Sequence, residues 1–191
     1  MRTYEEKKKA LYDFMNTCIE EDICIAFSGG VDSSVLLQLA RNCAEEKKRQ
    51  SSIYAVTFHT MLHPSCDLEI AQKVAKEAGA IHKVLFVNEL EQAEIRFNPK
   101  DRCYLCKKAL FGKLKAYAEE KRVSCILEGT NEDDLHVYRP GLKAVKEMGV
   151  LSPLAMHGFT KEEVRRLAEE LGVSVAKRPS TPCLAPRLPY G

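Results

Sequence analysis

Two stretches of this 191-residue sequence carry side chains suited to chemistry rather than packing. The first is "SGGVDSS", Ser28 to Ser34, which follows the apolar run ending in Ala26 and Phe27 and opens a helical pattern. Gly29 and Gly30 let an anion approach the backbone, and Ser28, Ser33 and Ser34 add hydroxyl donors. A tight turn from a strand into a helix aims backbone N–H groups at bound phosphate. Asp32 puts a carboxylate where phosphates would lie, which makes sense with a divalent cation, Mg²⁺, between them. Neither a Walker-type lysine loop nor a Gly-x-Gly-x-x-Gly dinucleotide loop is present. The plain alternative is an ordinary turn with N-capping serines.

The second stretch is "NPKDRCYLCKKALF", Asn98 to Phe111, with Cys103 and Cys106 at the start of a helical pattern beside Arg102, Lys107 and Lys108. A helix N-terminus and nearby cations lower thiol pKa, so both cysteines are expected to have thiolate character. A thioredoxin-like dithiol uses the same spacing but belongs after a first strand, and structural zinc asks for four ligands. Three thiolates suffice for a 4Fe-4S cluster with one open iron. Cys183, in the proline-rich "RPSTPCLAPRLPYG" that closes the sequence, is the candidate third ligand if that segment folds back over the sheet. Of the eight cysteines, Cys18, Cys24, Cys43 and Cys125 read as small hydrophobes. Cys66 with His59 and His63 is a weaker metal alternative.

The elements that must position these residues alternate. "DICIAF", "SIYAVTF", "IHKVLFV" and "VSCILEG" read as buried strands, separated by stretches with apolar residues at i, i+3, i+4 spacing. The fold class expected is α/β: a doubly wound, mainly parallel sheet with helices on both faces. "TKEEVRRLAEELG", Thr160 to Gly172, has a capping box and a terminal glycine and is a helix. The length fits one domain over 1–191. At 29 basic and 27 acidic residues the net charge of +2 lacks the basic stripe of a nucleic-acid binder. "EEKKRQ", Glu45 to Gln50, reads as a solvated face. No run approaches the ~20 apolar residues of a membrane span, and no signal peptide is apparent. A cytoplasmic protein with reduced thiols is expected.

"AFSGGVDSS" resembles the signature of the PP-loop ATP pyrophosphatases, which cleave ATP between its α- and β-phosphates. With "NPKDRCYLCKKALF", "EGTNEDDLHVYRPGLKAVKEMGVLSPL" and "RPSTPCLAPRLPYG" in this order, the sequence is similar to the LarE family of ATP-dependent sulfur transferases. The resemblance implies an adenine nucleotide alpha hydrolase-like fold and adenylation of a carboxylate of a pyridinium dicarboxylate mononucleotide, followed by conversion to a thiocarboxylate for nickel-pincer nucleotide synthesis. It implies that Ala26, Phe27, Ser28, Gly29, Gly30, Asp32, Ser33 and Ser34 contact ATP and Mg²⁺. Gly129, Thr130 and Asn131 then line the nucleotide site, Asp133, Asp134 and Arg139 orient nucleotide or substrate, and Arg187 holds a substrate phosphate or carboxylate.

Family members use either one sacrificial cysteine, in the position of Cys183, or a 4Fe-4S cluster on three cysteines. Cysteines at 103, 106 and 183 favour the cluster version. Pro186 stands where the family pattern has serine, and Ala176 near where it has tryptophan. Members also continue past the Pro-Tyr-Gly, where this sequence ends, into a region that supplies substrate contacts and subunit packing, so self-association stays open. The rival readings are a cluster-dependent PP-loop tRNA thiolase and a nucleotide-binding module without turnover.

Overall fold

The computed structural model describes residues 2–62, 65–92, 95–181 and 183–184, without the side chains of 65, 66 and 92. His63, Pro186 and Arg187 therefore lie outside the described residues, as does the Cys66 side chain. Four strands, β1 (Ile23–Ala26), β2 (Ile53–Thr60), β3 (Ile81–Val87) and β4 (Cys125–Leu127), form one parallel sheet in the order β3-β2-β1-β4. The expected fold class is the observed one. The strands fall within the apolar runs read from the sequence, except that β2 extends two residues further, to Thr60.

Helices cover both faces. α1 (Tyr4–Cys18), α2 (Val31–Glu46), α3 (Ser65–Glu77) and, near the end, α8 (Lys161–Glu170) surround the larger core, built on Leu11, Met15, Ile25, Leu36, Leu127 and Leu167. On the other face, Phe111 and Leu114 of α5 (Arg102–Glu120) and Val145 of α6 (Gly141–Glu147) pack against Cys24, Val56 and Ile126 of the sheet. α4 (Glu89–Gln92) and α7 (Pro153–Met156) are single turns. α2 buries ten of its 16 residues, because α1, α3 and α8 pack on it in addition to the sheet.

α1 is an element that the strand–helix alternation leaves unassigned. It starts in a capping box between Thr3 and Glu6, and its core stripe is narrow: Leu11 and Met15 are the residues it fully buries. Lys7 joins Glu163 at 2.8 Å and Lys8 joins Glu170 at 2.6 Å, tying α1 to α8. The polar face that hides α1 from a hydrophobic reading is thus the face that docks it.

Successive strands step from β1 to β2 to β3, and the chain then returns to place β4 on the opposite side of β1. The strand order thus reverses between β1 and β4, the point at which parallel α/β sheets take ligands. No helix among the described residues is long and apolar enough to cross a membrane.

Two outcomes follow from the α1–α8 contact. The capping box at Thr160 exists as read, with its hydroxyl accepting from the Glu163 N–H at 3.3 Å. Thr160→Ala should cost about 1 kcal/mol of stability, read as a lower urea midpoint with an unchanged m-value. Burial alone would push the Glu163 carboxyl up, but the Lys7 ammonium and the Thr160 N–H outweigh it and hold it below its ordinary 4.5. A depressed carboxyl stabilises above its unfolded pKa and loses that contribution as pH falls through the folded value. Acid titration of Lys7→Met, followed by circular dichroism, should show a shallower loss of stability below about pH 4.5 than the parent.

Candidate nucleotide and thiol site

The turn after β1 is shaped by its glycines. Gly29 has φ +74°, and a Cβ there would sit 2.8 Å from the Ala71 Cα and 2.9 Å from its nitrogen. Neither the left-handed backbone nor the approach of α3 admits a side chain. Gly30 is the N-cap of α2, has φ −76°, and makes no side-chain cap. The first-turn N–H groups of α2 are therefore left without a capping side chain, the condition under which a helix N-terminus takes an anion. Ser28 and Ser33 hold the turn: the Gly30 N–H donates to the Ser28 Oγ at 3.2 Å, and the Ser28 N–H to the Ser33 Oγ at 3.3 Å. Ser34 is buried at the same helix end. Beneath, the Thr57 hydroxyl donates to the Phe27 carbonyl at 2.7 Å, fixing the end of β1 to β2.

The loop after β4 closes on this turn. A Cβ on Gly129 would lie 2.9 Å from the Ser33 nitrogen and 3.1 Å from the Asp32 Cβ. Asn131 donates its side-chain N–H to the Asp32 carboxylate at 3.0 Å. Its backbone N–H and side-chain oxygen exchange hydrogen bonds with Asp134 at 3.1 and 3.2 Å, and Arg139 pairs with the same carboxylate at 2.9 Å. Asp133 accepts from the Lys161 N–H at 2.8 Å, which sets the start of α8. Asn131, Asp133, Asp134 and Arg139 thus lie in one network that reaches Asp32 through Asn131 and Lys161, Gly129 packs against it, and Thr130 bonds to Glu128 instead.

Two further side chains at this edge are not among the residues selected from the sequence. The Lys161 ammonium pairs with the second Asp32 oxygen, across 129 residues of chain. Glu128, buried, accepts from the Thr130 N–H at 3.0 Å, the Thr130 hydroxyl at 2.8 Å and the Ser152 hydroxyl. A glutamate ending an otherwise apolar strand was a usable signal for Glu128; Lys161 reads only as a helix start.

The thiols lie on the same carboxyl edge. Cys103 and Cys106 occupy the first turns of α5, with Cys103 exposed and Cys106 half-buried. Lys107 reaches from beside Cys106 to Glu128 at 3.5 Å, so the thiol turn and the nucleotide loop are one side chain apart. Leu184 lies at this edge, where its N–H donates to the Leu62 carbonyl at 3.0 Å. Cys183 is close enough for its charge to act on Cys106. The expectation of thiolate character fails at Cys106: burial pushes its thiol up to about 12, and the charges of Glu89, Cys183 and Cys103 add to that, against a smaller opposing effect of Lys107. Desolvation here exceeds the helix-end and cation effects that the sequence suggests.

Among the described residues, no three His, Cys, Asp or Glu side chains are gathered as a ready-made metal site. Cys103 and Cys183 both act on the Cys106 thiol, so Cys106 has each of them in its surroundings. Cys24 and Cys43 are buried with thiols pushed up to about 12 and about 11, in keeping with packing roles. Cys18 and Cys125 share a hydrogen bond that holds the first up and the second down.

A glycine turn into an uncapped helix at the switch point of a parallel sheet defines a phosphate-binding α/β domain. Residues 3–138 match the family model of the PP-loop domain, and the chain belongs to that ATP-binding family. It is 37% identical over 167 residues to an uncharacterized protein of Synechocystis, covering 87% of this chain and 60% of that one. It is 30% identical over 191 residues to the pyridinium-3,5-bisthiocarboxylic acid mononucleotide synthase of Lactiplantibacillus plantarum, covering 100% of this chain and 67% of that one. The chain thus spans roughly three fifths to two thirds of the curated relatives it matches. In fold it is similar to NMN synthetase from Francisella tularensis, with TM-score 0.71, 17% identity, and 95% of this chain and 76% of that chain covered. It is also similar to a U34-tRNA thiolase from Methanococcus maripaludis with its 4Fe-4S cluster, with TM-score 0.66, 17% identity, and 96% and 70% covered.

The two glycines of the turn should separate in stability. Gly29→Ala is expected to cost about 2–4 kcal/mol, from left-handed strain and a backbone clash. Gly30→Ala meets only the Ser28 Oγ at 3.3 Å and should stay within about 1 kcal/mol of the parent in urea unfolding.

Proposed function

We propose that the chain is an ATP-dependent sulfur transferase that adenylates a substrate carboxylate and converts it to a thiocarboxylate. The relative from Lactiplantibacillus plantarum, named for a pyridinium bisthiocarboxylate mononucleotide, supports a pyridinium dicarboxylate mononucleotide as the acceptor. The observation that carries the reading is the Lys107–Glu128 contact, which sets the thiol turn beside the loop holding Thr130.

In this reading the α2 N-terminus and the Ser28–Gly30 turn hold the ATP phosphates, with Ala26 and Phe27 at the floor. Asp32, directed by Asn131, faces a divalent cation that enters with the nucleotide. Lys161 neutralises Asp32 until the phosphates arrive and then turns to them. A substrate carboxylate oxygen attacks the α-phosphorus, pyrophosphate leaves, and the acyl carbon becomes an electrophile. A sulfur nucleophile then attacks that carbon, AMP departs with the bonding electrons, and a thiocarboxylate remains. Cys103, Cys106 and Cys183 are the residues that would hold a 4Fe-4S cluster, whose chemistry is to present a transferable sulfur. Arg139 and Arg187 are cations for the substrate's remaining anionic groups.

The anaerobically purified protein should contain iron and acid-labile sulfide, both lost in Cys103→Ser. A preparation free of both, together with loss of H₂S mass from the Cys183 peptide after turnover, would replace the cluster by a sacrificial cysteine. Pyrophosphate should appear with ATP and the pyridinium dicarboxylate mononucleotide. Release only with tRNA would move the reading to an RNA thiolase, and no release with either acceptor would leave a nucleotide sensor. Lys161→Met should weaken ATP binding at least about tenfold, measured by calorimetry, as expected for losing a charge-assisted contact. Unchanged affinity would remove Lys161 from the phosphate site.

A further inference from the structure

Glu89 is fully buried at 0% exposure, yet it is not in a salt bridge among the described residues. It opens α4 at the carboxyl end of β3, and its two oxygens accept from the Met61 N–H at 3.1 Å and the Leu62 N–H at 2.7 Å. Those residues directly follow β2, whose Thr60 pairs in register with Val87. Leu62 then passes the order on: its carbonyl accepts the Leu184 N–H at 3.0 Å, one residue beyond Cys183. The same carboxylate is near enough to act on the Cys106 thiol. One buried side chain therefore stands behind both the helix thiol and the backbone on which Leu184 docks.

We propose that Glu89 is a positioning residue for Cys183: by clamping the Met61 and Leu62 N–H groups it fixes the Leu62 carbonyl as the docking point that holds Cys183 beside Cys106. This rests on the reading that Cys183 works with Cys103 and Cys106. Physically, a buried carboxylate satisfied by two N–H groups cannot be exchanged for an apolar side chain without leaving both donors unpaired. The loop would then be free to move its carbonyl, and the segment's backbone anchor would go with it.

The test uses the reduced full-length chain under anaerobic conditions, with amide hydrogen exchange and dibromobimane bridging of Cys106 to Cys183 as readouts. In Glu89→Ala the Leu184, Met61 and Leu62 amides should lose protection at least about tenfold, while β1 and β4 amides keep theirs. The Cys106–Cys183 bridge should fall in the same proportion. Glu89→Gln, which keeps the shape and one acceptor, should recover part of both. Unchanged Leu184 protection or bridging in either folded variant overturns the proposal, as does a uniform loss over all amides, which is the mark of a purely structural role. If Glu89→Ala does not fold, Glu89→Gln decides by the same two readouts. The parent chain gives a check without any variant: a Leu184 amide exchanging at the free-peptide rate overturns the proposal. Iron and sulfide content stand apart from these readouts. A parent chain lacking both, with the Leu184 and bridging effects intact, ends the cluster reading and leaves the positioning role standing.

Discussion

The Asp32 carboxylate is the point on which the site's assembly depends. It sits in the first turn of α2, where the helix dipole favours negative charge, and is partly shielded from water. Its partners come from 99 and 129 residues away, Asn131 on the β4 loop and Lys161 at the head of α8. A partly buried carboxylate without partners is costly, so satisfying it draws two distant elements onto the β1 turn. Gly129 makes the approach possible, since any side chain there would strike the α2 backbone. The crevice between β1 and β4 is thus closed at its base by one charge and one missing Cβ.

This dependence explains what could be read in the sequence. The strands and the capped helix over Thr160–Gly172 were legible because period and capping are local properties. The turn from Ser28 to Ser34 was legible because its glycines and serines are needed where they stand. Lys161 was not, because a lysine at a helix start is ordinary and its partner is fixed only by the tertiary fold. α1 escaped for a related reason: the lysines that bind it to α8 dilute its apolar stripe.

The thiols show where a local rule yields to packing. Cys103 and Cys106 share one helix start, and the sequence treats them alike. The fold leaves Cys103 exposed and turns Cys106 into the protein. A helix end and a neighbouring lysine stabilise a thiolate, but burial beside Glu89 and two further thiols outweighs both. The difference lies in which way a helix turn faces, which the C-x-x-C spacing does not state.

Glu89 and Glu128 share a design that bears on this chemistry. Each is buried at the end of a strand and accepts backbone N–H groups, from Met61 and Leu62 in one case and Thr130 in the other. Backbone donors hold a carboxylate in place without cancelling its charge, whereas a tight ion pair would cancel much of it. Glu128 has Lys107 only at 3.5 Å, and Lys107 also bears on Cys106. Glu89 and Lys107 therefore act on Cys106 in opposite directions at the carboxyl edge. Burial is the largest reason that the Cys106 thiol is held up, and Glu89, Cys183 and Cys103 add to it in that order.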